Sequence, residues 1–177
     1  AESGFKLQPE QLRAALTPRS RVFILCNPCN PTGCMYTRAE LEALAAVLRD
    51  FPKVLVLADE IYERIVYAEA GEHVSFAALP GMKPRTLMVN GVAKGFAMTG
   101  MRIGWMCGPS AVVKAAEKLQ GQISSCACSV SQAAAAAALP LHPTVAGPGP
   151  ANLANLDRNR RLAYDLLRAV PGVATVM

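Results

Sequence analysis

The sequence has few charged residues and no long apolar run, and each shortage excludes a class of protein. Charged residues make up 18% of the 177 and apolar ones 52%, a balance typical of a folded chain and not of a disordered one. The longest apolar stretches are broken by polar residues, so none is predicted to span a membrane. The length suits one domain with a buried core and is too short for two large ones.

Histidine is also scarce, which bears on whether the cysteines form a metal site. The six cysteines are Cys26, Cys29, Cys34, Cys107, Cys126 and Cys128. They do not form two C-x-x-C pairs, as many zinc sites do. The two histidines, His73 and His142, also lie far from them in the sequence. We interpret the cysteines as reduced thiols that act as small apolar residues, and we expect an intracellular protein without a metal.

Basic residues exceed acidic ones, giving a net charge of +5, but they are spread along the chain. Only Arg158, Arg160 and Arg161 cluster, next to Asp157 on a predicted helix, and this pattern is typical of a solvated helix face. Nucleic acid is therefore not expected as a partner. The N-terminal residues contain no basic segment followed by an apolar one, so no secretory signal is predicted.

Short apolar runs alternate with helix-like segments through most of the sequence. Strands are predicted over 21–26, 53–58 and 86–91, because continuously apolar runs are typical of parallel strands buried on both faces. Between the first two, Thr37 and Glu40 form the pattern of a capping box, followed by leucines at helical spacing. The sequence therefore predicts an α/β fold.

The second half divides at a segment dense in proline and glycine. Beyond Trp105 the pattern predicts two helices and then a linker over 141–150. This linker would separate a larger domain, 1–140, from the start of a second one, 151–177. The second part is predicted to be a helix followed by the beginning of a strand over 171–177.

Polar residues follow each predicted strand, at the edge where open α/β sheets bind ligands. The segments are NPCNPTG over 27–33, DEIYE over 59–63 and VAKGFAMTGMR over 92–102. Taken singly, Asn30 favours a turn, Asp59 and its neighbour Glu60 favour a solvated strand end, and Lys94 favours a surface charge. Their coincidence at three successive strand ends indicates a convergent site instead.

The chemistry of this set fits an aldehyde cofactor with a phosphate. A lysine amine forms a Schiff base with an aldehyde, and the small neighbours of Lys94 would let a bulky ring approach. A carboxylate such as Asp59 keeps a pyridine nitrogen protonated, which makes the ring an electron sink. The guanidinium of Arg102 suits phosphate and would disfavour a second cation nearby. Those are the requirements of pyridoxal phosphate.

The three segments, in this order, resemble the signatures of class I, fold-type I pyridoxal-phosphate aminotransferases. The stretches SFAALPGM, KLQGQ and SSCACSVSQ most resemble the aspartate and prephenate aminotransferases of bacteria and plant plastids. The resemblance implies a partial large domain, with a mostly parallel sheet and flanking helices, plus the start of a small α+β domain. It also implies amino-acid and 2-oxo-acid substrates, a homodimeric parent, and a cytoplasmic or plastid location.

The resemblance implies a role for each candidate residue. Lys94 would bind pyridoxal phosphate covalently and later move the proton at the substrate Cα. Asp59 would pair with the pyridine nitrogen, while Asn30 and Tyr62 would contact the ring oxygen. Arg102 would bind the phosphate.

The sequence also departs from the family pattern. Gly91 and Ala93 stand where relatives often carry a hydroxyl residue, and Met101 stands where a tryptophan is common. The chain is well under half of a typical subunit, so residues that stack on the cofactor or bind the substrate carboxylate are expected to lie outside it. We therefore expect a fragment, inactive alone, of an enzyme that transaminates aspartate or glutamate. The alternative is a non-catalytic truncated homologue that retains partial cofactor or partner binding.

Overall fold

A computed structural model describes residues 3–140 and 150–175 of the chain. Its strands are β1 (Val22–Cys26), β2 (Leu55–Asp59), β3 (Thr86–Gly91) and β4 (Gly104–Cys107). Its α-helices are α1 (Pro9–Ala15), α2 (Arg38–Arg49), α3 (Ser110–Ile123), α4 (Ser129–Ala138) and α5 (Pro150–Arg168). The three predicted strands and the predicted helices are confirmed, whereas α1 and β4 were not predicted.

The four strands form one sheet in the order β1-β2-β3-β4. The first three are parallel, and β4 runs antiparallel to β3. The mostly parallel α/β sheet predicted from the sequence is therefore confirmed. The antiparallel edge has a physical reason: a parallel return needs a long crossover, usually a helix, and the link over 92–103 holds only a 3-10 turn at Thr99–Met101.

Helix α2 begins at the predicted capping box and lies over the first two strands. The Thr37 hydroxyl accepts from the Glu40 amide at 3.3 Å, and the Glu40 carboxylate accepts from the Thr37 amide at 2.7 Å. Leucines at helical spacing then face the sheet, and each is at most 1% exposed: Leu41, Leu44 and Leu48. They form the main core together with Val54, Val56 and Phe76.

A second, smaller cluster lies beyond β3. Its buried members are Val92, Phe96, Ala135 and Ala138, and the partly buried Ile103 and Trp105 pack against it. Helix α4 supplies the two alanines, in agreement with the helix predicted for the alanine run. In the described part of the chain, α3 contributes no buried side chain to either cluster.

The C-terminal predictions are only partly met. Helix α5 forms as predicted. Its Arg160 places its guanidinium 3.9 Å from the centre of the Tyr67 ring and pairs with Glu69. Arg160 is therefore not simply part of a solvated helix face. The strand predicted over 171–177 is wrong for residues 171–175, which form a turn and irregular backbone after Pro171. The predicted linker lies outside the described residues, except that Pro150 already begins α5.

The cysteines differ from the prediction in their burial. All six cysteines are free thiols, but Cys107, Cys126 and Cys128 are exposed. The prediction that the cysteines act as small apolar residues is therefore wrong for these three.

Within 3–140 and 150–175, no helix combines the length and the apolar character needed to cross a membrane.

Candidate active site

The sheet register brings the three polar segments to one edge. Asp59, the last residue of β2, is paired with Cys26 at the end of β1 and with Val89 in β3. The ladder continues into the loops, since the Asn27 amide donates to the Asp59 carbonyl at 3.0 Å and the Glu60 amide donates to the Val89 carbonyl at 2.9 Å. The segments over 27–33, 59–63 and 92–102 therefore start side by side.

Asn30 and Tyr62 are in direct contact. The Asn30 side-chain amide donates to the Tyr62 hydroxyl at 3.2 Å, which joins the loop after β1 to the loop after β2. A cavity of about 310 Å³ lies beside this hydrogen bond, lined by both residues and mainly by apolar neighbours such as Met35 and Ile65. The sequence indicated the two polar residues but not this cavity.

Lys94 points its amine at the same phenol. The Lys94 Nζ atom is 5.8 Å from the centre of the Tyr62 ring. The loop around the lysine is a tight turn, in which the Ala97 amide donates to the Lys94 carbonyl at 3.0 Å and the Met98 amide to the Val92 carbonyl at 3.2 Å. Ala97 has a left-handed φ of 55°, a conformation that an alanine rarely adopts and that often accompanies function.

Asp59 lies between the two loops that carry Asn30 and Lys94, because β2 is the strand between β1 and β3. Its side chain is half-buried, and one carboxylate oxygen accepts from the Ile61 amide at 3.2 Å. This contact fixes the carboxylate at the edge of the sheet.

Arg102 is less closely joined to the set. It ends the 3-10 turn with a left-handed φ of 55°, and its exposed guanidinium donates to the Thr99 carbonyl at 3.0 Å. It precedes β4, whose first residue Gly104 pairs with Gly91 at the end of β3, so it lies at the same end of the sheet as Lys94. Among the described residues, no hydrogen bond or ion pair joins Arg102 to the other four candidates.

Position 91 requires a glycine, because the backbone at the end of β3 lies very close to the backbone at the start of β4. A Cβ atom there would lie 2.7 Å from the Ile103 carbonyl oxygen and 3.0 Å from the Gly104 Cα. Both are backbone atoms, which cannot move aside cheaply. The hydroxyl residue that the resemblance implies at this position therefore cannot replace Gly91 without a shift of β4.

Sequence reasoning missed the role of Glu60. It is 3% exposed, and its Oε1 accepts from the Ser75 hydroxyl at 2.8 Å and from the Phe76 amide at 3.0 Å. Burial raises the pKa of Glu60 above the usual glutamate value, against the lowering effect of Ser75 and His73. Interpretation as a solvated strand end is therefore wrong, and nothing in the sequence around it distinguishes it from an exposed acid.

Glu60 also belongs to the one group of potential metal ligands among the described residues. Atoms of Glu60, Glu63 and His73 lie within 4.8 Å of one another. The His73 Nε2 atom is 3.1 Å from the Asn27 carbonyl oxygen, and Glu60 already accepts two hydrogen bonds. The first two site loops are therefore both hydrogen-bonded to the segment over 73–76, through Asn27 and Glu60.

Comparison with known proteins decides the family. The family model described as "Aminotransferase class I and II" matches residues 1–177. The chain belongs to this family. The family predicted from the three segments is thereby confirmed, and its members include the aspartate and prephenate aminotransferases that the sequence resembles.

Individual relatives agree with this assignment. The bifunctional aspartate aminotransferase and glutamate/aspartate-prephenate aminotransferase of Petunia hybrida is 53% identical over 137 residues, which cover 77% of this chain and 28% of that protein. The aspartate/prephenate aminotransferase of Cereibacter sphaeroides is 42% identical over 175 residues, 97% of this chain and 42% of that protein.

The solved structure of the aspartate aminotransferase from Rhizobium meliloti matches with a TM-score of 0.91 at 42% identity. The match covers 97% of this chain and 42% of that structure. The chain thus has the fold of these enzymes and spans less than half of the length of the relatives it matches, as the sequence predicted for a partial chain.

Proposed function

We propose that this chain is the part of a pyridoxal-phosphate-dependent aminotransferase that binds the cofactor. The observation that carries the proposal is the convergence of Asn30, Tyr62 and Lys94, in which an amide donates to a phenol and an amine faces the same ring. With Asp59 at the adjacent strand end, four functional groups of the right kinds lie at one edge of the sheet.

These groups match the functional groups of pyridoxal phosphate. An amine suits its aldehyde, a carboxylate its pyridine nitrogen, and a guanidinium its phosphate. When bound, the cofactor supplies a ring that accepts electron density from the substrate Cα. The residues present therefore fit the cofactor.

The contacts of these residues support the role that we propose for each of them. The Tyr62 hydroxyl accepts from Asn30, so its own proton is available to donate to a ring oxygen. Lys94 would bind the cofactor covalently and, once released, hold and return the proton of the substrate Cα. The Arg102 guanidinium uses one donor on the Thr99 carbonyl and retains others for phosphate.

The reaction of the whole protein follows from the family. We propose transfer of an amino group between an amino acid of the aspartate or glutamate type and a 2-oxo acid. Several relatives are named as aspartate or aspartate/prephenate aminotransferases, which supports this substrate class.

The resemblance further supports a homodimeric parent and a division into a large domain over 1–140 and a small domain from 151. Free thiols on all six cysteines suit an intracellular, cytoplasmic or plastid, location.

The first test is covalent capture of the cofactor. The purified 177-residue chain is mixed with pyridoxal phosphate, reduced with borohydride and digested, and the labelled lysine is located by mass spectrometry. We expect the label on Lys94 and its loss in Lys94→Ala, whereas Lys83→Ala, which changes an exposed lysine, keeps it. Asp59→Ala keeps the label on Lys94 but needs a higher cofactor concentration. A label spread evenly over surface lysines would contradict the proposal.

The second test asks whether the chain is catalytically active on its own. Amino transfer from aspartate to 2-oxoglutarate is measured with the same chain after loading with cofactor. We expect no turnover, since the chain spans 42% of the length of the Cereibacter sphaeroides relative. Steady-state turnover by the chain alone would show that the described site is catalytically complete.

A further inference from the structure

Arg64 contacts the lysine loop from the opposite segment. It lies two residues after Tyr62, and its guanidinium carbon is 4.2 Å from the centre of the Phe96 ring, two residues after Lys94. Phe96 is 7% exposed and belongs to the second core cluster. The stacked pair therefore connects the segment of Tyr62 to the segment of Lys94.

The aliphatic part of Arg64 fills the space beside Gly95. A Cβ atom on Gly95 would lie 3.1 Å from the Arg64 Cδ atom and 3.3 Å from its Cβ atom. Both residues that follow Lys94 thus lie against the same arginine, Gly95 beside the Arg64 stem and Phe96 against its guanidinium. A methyl group at position 95 would require Arg64 or the loop to shift by a few tenths of an ångström.

Within the described residues, the Arg64 guanidinium forms no ion pair. Its Nη1 atom is buried and has no hydrogen-bond partner among the described residues. Arg160 provides a contrast, since it stacks on Tyr67 but also pairs with Glu69 and Asp157. A buried N–H without an acceptor is costly, and a desolvated cation on an aromatic face gains the most from that contact. The Phe96 ring is therefore the main partner of the Arg64 charge.

We propose that Arg64 is a positioning residue that fixes the loop of Lys94 against the segment of Tyr62, and so sets the placement of the amine at the phenol ring. The inference rests on the proposed function, in which those two groups meet the cofactor. Arg64 itself does not touch the reacting atoms in this role. It acts through Gly95 and Phe96, the two residues next along the chain from the lysine.

A double-mutant cycle tests the contact with Gly95. The rate of pyridoxal phosphate capture at Lys94, trapped by borohydride, is measured for Arg64→Ala, Gly95→Ala and the double variant. We expect Arg64→Ala to slow capture by about tenfold, the scale of a partly desolvated cation–π contact. Gly95→Ala should slow it as well, because its methyl group pushes against the Arg64 stem. Gly95→Ala should cost less when Arg64 is already alanine, because the Cδ atom that its methyl group meets at 3.1 Å is gone and only the Cβ atom at 3.3 Å remains. Gly121→Ala is the matched control, since a Cβ there meets nothing within 4 Å.

A second readout needs no cofactor. Hydrogen exchange of the backbone over residues 92–98 is measured in the unloaded chain, together with urea denaturation to confirm folding. We expect faster exchange in Arg64→Ala and recovery of most protection in Arg64→Lys, which retains a cation on a flexible stem. If Arg64→Ala fails to fold, Arg64→Lys and Arg64→Met provide the same comparison with the stem retained.

The outcomes separate the two proposals. Unchanged capture and unchanged exchange in Arg64→Ala, or fully additive effects with Gly95→Ala, would overturn the role of Arg64. Absence of capture at Lys94 in the unsubstituted chain would instead overturn the proposed function, while the exchange measurement would still decide whether Arg64 fixes the loop.

Discussion

Two regions of the molecule use amphipathic helices with opposite results. In the first region, residues 3–91, α2 buries five side chains against the sheet. In the second region, residues 92–140, α3 buries none among the described residues, and Leu119 and Ile123 are 61% and 74% exposed. An amphipathic pattern predicts that a helix needs an apolar partner, but it does not say whether the same chain supplies one.

The candidate site lies on the boundary between these regions. Asn30, Asp59 and Tyr62 extend from the strands of the main core, whereas Lys94 and Arg102 belong to the second region. The well-packed side holds its site residues by strand register and by a hydrogen bond. The lysine loop depends instead on its own turn and on a small cluster, so contacts across the boundary have more effect there.

The largest expected difference between the regions is in the cost of truncating an apolar side chain. Leu44→Ala, at a side chain 1% exposed, should lower the free energy of unfolding by about 3 kcal/mol, because it leaves a cavity in the main core. Ile123→Ala, at a side chain 74% exposed, should change it by less than about 0.5 kcal/mol. Urea denaturation followed by circular dichroism measures both values.

Equal losses for these two variants would contradict the comparison. They would mean that α3 buries Ile123 in solution, for example against a second copy of the chain. Repeating the denaturation over a range of protein concentrations distinguishes these cases, since a contact between copies makes the stability concentration-dependent.

A medium effect is expected at the boundary between the regions. Gly91→Ala places a methyl group 2.7 Å from the Ile103 carbonyl oxygen, so we expect a loss of about 2 kcal/mol as β4 moves away from β3. Gly100→Ala, in the loop that follows β3, is the control, because a Cβ there meets nothing within 4 Å. If both variants unfold at the same urea concentration, the approach of β4 to Gly91 is looser than the structure shows.

The sequence predicted the first region well because its signals are local. The capping box at Thr37 and Glu40 and the apolar strands are read from neighbouring residues, and the rule on strand ends then selects the site loops. Apart from the short helix α1, what it missed depends on residues distant in sequence. Strand β4 has only four residues, and it is a strand because it pairs with β3 across a short link.

The same reason explains the missed side chains. The burial of Glu60 depends on Ser75 and Phe76, and the position of Arg64 depends on a ring in the next loop. Neither contact leaves a periodic pattern in the sequence. The strand predicted over 171–177 shows the converse error, since an apolar run predicts a strand only where a partner strand is available to pair with it.

The smallest effect concerns how the first region holds its N-terminal segment. Lys6 contacts the Glu40 carboxylate at 2.8 Å, with the two side chains 21% and 41% exposed, and the Leu7 amide donates to the Tyr36 hydroxyl at 2.7 Å. Burial alone would raise the pKa of Glu40, but hydrogen bonds from Lys6 and Thr37 outweigh it and lower the pKa below the usual glutamate value.

A lowered carboxyl pKa stabilises the fold above the usual glutamate range, and this contribution is lost as the pH falls through the lowered pKa. Lys6→Met keeps the apolar stem and removes the charge, so we expect a loss of about 0.5 kcal/mol near neutral pH. The difference from the unsubstituted chain should vanish in acid, where Glu40 is protonated. Urea denaturation at a series of pH values measures this, with Lys53→Met as an exposed lysine control. Parallel pH profiles for the unsubstituted and Lys6→Met chains would show that packing, and not this ion pair, holds the segment on α2.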